Sequence, residues 1–170
     1  MKSGDLVPLS IFAVAAFTAF ALPFPTSDAA SRNDLTGSWE FVSNTANLDG
    51  NRVELFGPAG KGLMMLGADG RYTIVIVRSG LPKFASENRM NGTAEENKAV
   101  VGGSNAHFGT FEVDEAASLL IFHIEGATFP NWDRAEQRRS FSLDGDVLKY
   151  VIPTSTTGSG QGEVIWKRLR

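Results

Sequence analysis

From residue 36 onward the sequence is a succession of short runs in which apolar and polar residues alternate, separated by turn signals at near-even spacing. A period of two places every second side chain on one face, the pattern of a strand with one buried side. The runs are 37–45, 61–66, 72–78, 107–113, 119–127, 137–143, 147–152 and 163–169, with a short extended piece at 53–56. Asp69-Gly70 and Asp144-Gly145 stand between consecutive runs, and Asp-Gly supplies the left-handed backbone of a tight hairpin. Residues 72–78 (YTIVIVR) are rich in β-branched side chains, which suit a pleated sheet. Hairpin-linked neighbours predict an all-β fold: an eight-stranded antiparallel up-and-down barrel, whose closure removes the exposed sheet edges. Eight strands enclose an interior just wide enough for one small ligand.

One segment breaks the rhythm. Residues 79–105 contain no alternating run. Thr93 followed three residues later by Glu96 is a capping box, so a short helix is expected from Thr93. Glu95 and Glu96 also suit the positive end of a helix. An insertion of this length is expected to sit at one end of the barrel as a lid-like loop.

The N-terminal segment does not belong to the barrel pattern. Residues 6–22 (LVPLSIFAVAAFTAFAL) carry no charge, Lys2 precedes them, and the small residues Ser27 and Ala29 fit a cleavage after Ala29. This order predicts a signal peptide at 1–29 and a barrel domain at 30–170, with a periplasmic or secreted location and no stable membrane insertion after cleavage. The absence of cysteine excludes a disulfide scaffold, a zinc finger and a thiol catalyst. A net charge of −3 and a pI near 5.4 argue against a nucleic-acid partner, which needs a basic face. Arg138, Lys149 and Lys167, with no aromatic girdles, argue against a transmembrane barrel.

Several blocks carry a family resemblance. Gly37-Ser38-Trp39 lies on the first run and Trp166-Lys167-Arg168 on the last. Between them stand Gly57-Pro58 with Lys61-Gly62-Leu63-Met64, then Asp69-Gly70-Arg71-Tyr72, Pro82-Lys83-Phe84-Ala85-Ser86 and Gly92-Thr93-Ala94-Glu95-Glu96. His107-Phe108-Gly109-Thr110-Phe111, Pro130-Asn131-Trp132 and Gln137-Arg138-Arg139 complete the set. In this order they resemble the bacterial and fungal lipocalin-like domain family. The resemblance implies a calycin-type barrel with a small-molecule cavity, closed at one end by Gly37, Trp39 and Arg168, the arginine packing over the indole. It implies no particular ligand. A guanidinium over an indole contributes about 0.5–2 kcal/mol.

The polar residues of the barrel runs suggest where a ligand would be oriented. With the 114–118 turn as the centre of the hairpin, Phe111 is expected opposite Ile121, Gly109 opposite His123 and His107 opposite Glu125. His107, His123 and Glu125 would then share one face. Arg139 groups with Phe141 and Leu143 as an interior set, against Arg138 and its flanking serines outside. The expected ligand-binding set is His107, Phe111, Ile121, His123, Glu125 and Arg139, with Met64 and Phe84 at the cavity mouth. Two functions follow. One is non-catalytic binding of a small hydrophobic molecule, with no cofactor and no metal. The other is an isomerase or cyclase using His107, His123 and Glu125 as acid–base groups. No Ser/His/Asp order, phosphate loop or nucleotide fingerprint is present in the sequence.

Overall fold

The computed structural model describes residues 30–48, 50–154, 156 and 160–170. The signal-peptide reading of 1–29 lies outside the described residues. Nine strands form one antiparallel sheet: β1 (Gly37–Leu48), β2 (Asn51–Glu54), β3 (Lys61–Leu66), β4 (Arg71–Val77), β5 (Ser104–Asp114), β6 (Leu119–Ala127), β7 (Glu136–Asp144), β8 (Val147–Ile152) and β9 (Gly162–Arg168). β1 pairs β9 from Trp39 to Ala46, so eight strands close into the expected barrel. The other edge of β1 is shared. β3 takes Gly37–Glu40, and the extra strand β2 takes Thr45–Leu48.

A single helical turn, α1 (Arg32–Leu35), covers one end of the barrel. Ser31 caps it, and Asp34 returns the bond to the Ser31 backbone N–H. The Trp39 indole N–H donates to the Leu35 carbonyl at 2.9 Å. The Arg168 guanidinium lies 4.1 Å from the Trp39 ring and donates to the Thr36 and Asp34 carbonyls. Gly37 has φ +135°, and a Cβ there would stand 3.2 Å from Arg168. The closed end is therefore one packed unit: helix turn, indole, cation and a glycine that lets the cation pass. Trp39, Trp166, Met64, Leu66, Leu120 and Leu148 are fully buried in the core. The chain enters β1 and leaves β9 at this same end, where Leu169 N–H donates to the Ser38 carbonyl.

The insertion forms α2 (Ala94–Gly103) at the opposite end, with Thr93 as N-cap and Glu96 completing the capping box. A 3₁₀ turn at Pro130–Trp132 lies beside it.

Two bulges decide which side chains face inward. In β1 the register against β9 shifts between Phe41 and Ser43, leaving Val42 as an extra, exposed residue. Trp39 and Phe41 point in, and after the bulge Asn44 and Ala46 do so. In β5–β6, Phe108 pairs Gly126 but Gly109 pairs Ile124, so Glu125 is the extra residue. Gly109 is required there, because a Cβ would fall 2.0 Å from the His123 carbonyl oxygen.

Candidate functional site

The expected sharing of one face by His107, His123 and Glu125 is overturned by the register. Phe111 pairs Phe122 and Thr110 pairs His123, one residue away from the expectation, and a slip of one residue reverses every side chain. The hairpin loop has four residues, because Asp114 is still paired with Leu119. Its carboxylate accepts from Ala117 N–H and Ser118 adopts φ +51° to close the turn. His107 therefore points into the barrel, buried to 6% exposure. His123 lies outside, 3.7 Å from each of Glu112 and Glu136. Glu125 is exposed and pairs with Arg71 at 2.6 Å. The acid–base set of the enzyme alternative is not assembled.

Other expected site residues also move. Ile121 lies on the outward side of β6, opposite Glu112 and Arg138. Phe111 and Met64 are buried in the core and do not line the cavity. Phe84 stays within the insertion, where a Cβ on Gly92 would strike its ring at 2.7 Å. Arg139 takes the interior position expected of it, with Phe141 and Leu143 on the same side of β7 and Arg138 outside.

The cavity occupies the half of the barrel away from α1. It measures about 930 Å³ and opens between α2, the 3₁₀ turn and the chain after β8. Ile74 and Ile76 of β4, Phe122 of β6, Val164 of β9 and Leu55 and Phe56 supply apolar wall. Val100 and Val101 of α2 and Phe129 and Trp132 of the 3₁₀ turn frame the mouth. The aromatic groups meet edge to face. The His107 ring is 5.5 Å from Trp132 and 6.0 Å from Phe122, and Phe122 is 6.1 Å from Tyr150. Such contacts hold the rings in fixed orientations.

His107, Arg139, Tyr150 and Asn44 bring polar groups to this apolar space, with Tyr72 held against His107. The Tyr72 hydroxyl lies 2.8 Å from His107 Nδ1. Burial, and secondarily the Arg139 charge, pull the His107 pKa down to about 4, so the imidazole is neutral at pH 7. Burial pushes both the Tyr72 and Tyr150 phenols up, so each remains an O–H group. The Tyr72 hydroxyl and His107 Nδ1 therefore share a hydrogen bond between two neutral groups, its direction set by the tautomer of the ring. Arg139 donates to Gln137 Oε1 at 2.6 Å and to the Arg138 carbonyl at 3.3 Å. Asn44 lies buried on the β1 wall, its Oδ1 without a hydrogen-bond partner among the described residues.

Tyr72, Tyr150, Phe122 and Asn44 were missed by sequence reasoning. Alternation in 72–78 does group Tyr72 with Ile74 and Ile76, but it needs one anchored register to say that this face is the inner one. Asn44 depends on the Val42 bulge, for which the sequence carries no signal.

An eight-stranded barrel with an apolar cavity and a few convergent polar groups has the architecture of a protein that holds a small molecule. The chain belongs to the lipocalin-like domain family, whose pattern matches residues 36–169. It is also similar to the 4'-hydroxy-3'-methoxypropiophenone carrier protein of Aspergillus oryzae, 28% identical over 103 residues that cover 55% of this chain and 93% of the relative.

Proposed function

We propose that this protein is an exported, non-catalytic carrier of a small hydrophobic molecule held in the barrel. The observation that carries the reading is the cavity of about 930 Å³, lined by Ile74, Ile76, Phe122 and Trp132 and furnished with a few buried polar groups. Apolar burial drives binding at roughly 25 cal/mol per Å² before the costs of association. The aromatic box favours a ligand with a ring, and the name of the Aspergillus relative, which describes a hydroxylated, methoxylated aryl ketone, supports that class. Export rests on the uncharged run at 6–22 and the small residues before Ala30. A carrier role fits the chemistry of the polar groups. His107 is neutral with Nδ1 engaged by Tyr72, and His123 and Glu125 lie outside the barrel.

The test uses 4'-hydroxy-3'-methoxypropiophenone itself. Titration into the protein is expected to change the fluorescence of Trp132 at the cavity mouth, and the change is lost in Trp132→Phe. Chromatography after prolonged incubation is expected to return the compound unchanged. Conversion to a product would overturn the carrier reading in favour of an enzyme. Failure of this compound and of a panel of aryl ketones and alcohols to bind would overturn ligand binding in the barrel.

A further inference from the structure

Arg139 is a fixed positive charge in an apolar cavity without an acidic partner. A guanidinium stays protonated in proteins, so burial cannot neutralise it. It has five N–H donors, and two hydrogen bonds from it are made among the described residues, both to neutral acceptors. Among the described residues no carboxylate pairs with it. The acidic residue of the cavity lining is Glu136, and its carboxylate is taken by Arg138 Nε at 2.7 Å on the outer side of β7. The other groups near Arg139 inside the barrel are Tyr72, His107 and Tyr150. All three are neutral at pH 7, and of the two phenols Tyr150 lines the cavity. The interior of the site therefore carries one positive charge and offers O–H and N–H donors around it. A charge partly withdrawn from water is costly unless a counter-charge meets it.

We infer that the molecule held by this barrel bears a carboxylate, which binds Arg139 while its aromatic or aliphatic body fills the space between Ile74, Phe122 and Trp132. This rests on the reading of the cavity as a small-molecule site and adds the charge of its occupant. The planar guanidinium matches a carboxylate edge to edge, which a lysine at this position would not do. Tyr150, which lines the cavity, flanks the anion as a neutral donor.

The test is a matched pair of probes with one skeleton, naphthalene-2-acetate and naphthalene-2-ethanol, titrated calorimetrically into the full chain at pH 7. The carboxylate is expected to bind at least tenfold more tightly than the alcohol. Arg139→Gln is expected to weaken the carboxylate and bring the two within about twofold of each other, and Arg139→Lys to restore part of the preference. Equal affinities in the unaltered protein, or a preference that survives Arg139→Gln, would overturn the inference and leave the carrier reading standing. Binding of neither probe would overturn both. The ratio in the unaltered protein decides the matter even where Arg139→Gln folds poorly.

Discussion

Acid is expected to destabilise this barrel through His107, and the size of the effect follows from its burial. The perturbation is a fall in pH from 7 to 4. In the unfolded chain a histidine titrates near 6.5, whereas His107 in the barrel is held at about 4. Between those values the unfolded state binds a proton that the folded state refuses, so stability rises with pH and is lost as pH falls. The loss is about 2 kcal/mol by pH 5 and about 3 kcal/mol by pH 4. Protonation does not break the Tyr72 contact, since the hydroxyl then accepts from Nδ1. What it adds is a second buried cation near Arg139. The assay is urea unfolding at pH 7, 6 and 5, comparing the unaltered protein with His107→Gln, which keeps an acceptor for the Tyr72 hydroxyl. The variant is expected to start lower at pH 7 and to lose about 2 kcal/mol less by pH 5. Parallel loss in the two proteins would refute the reasoning, because acid lability would then reside in the carboxylates.

Three further outcomes are expected. Trp39→Ala should cost about 3–5 kcal/mol in chemical unfolding, as for a large aromatic removed from a packed core, while the cavity at the other end retains its ligand. Gly109→Val should destabilise by about 3 kcal/mol or more, because its Cβ meets the His123 carbonyl; a stability within about 0.5 kcal/mol of the parent, the usual range for surface changes, would mean that the β6 bulge is adaptable. Thr93→Ala should cost about 1 kcal/mol, confined to α2, so amide exchange should quicken in the first turn of that helix and stay unchanged in β4 and β6.

Strand existence was legible in the sequence because alternation and Asp-Gly turns act locally. Residues 61–66, 119–127 and 147–152 are strands with those bounds. The helix was legible because its capping box lies within four residues of sequence. Facing was harder, since it depends on parity across a hairpin. Counting Asp114 as loop rather than strand turned His107 toward Glu125, when the ladder in fact places Ala127 opposite it. Val42 and Glu125 then shift parity within their own strands, and nothing in their side chains announces a bulge. Arg139 was readable because β7 is regular and its neighbours Phe141 and Leu143 are apolar. The polar groups that sequence reasoning placed in the cavity and that lie there, His107 and Arg139, sit on strand segments anchored by apolar inward neighbours.

The chain's two crossings into the barrel lie together at the end sealed by α1, remote from the mouth framed by α2 and Trp132. A domain fused at either described end would therefore be attached on the far side from the point where a guest molecule enters and leaves. Such an attachment sets the orientation of the vessel without crowding its opening. It also makes the barrel a natural candidate for joining its ends by a short linker and cutting it elsewhere, since the first and last strands are already hydrogen-bonded neighbours.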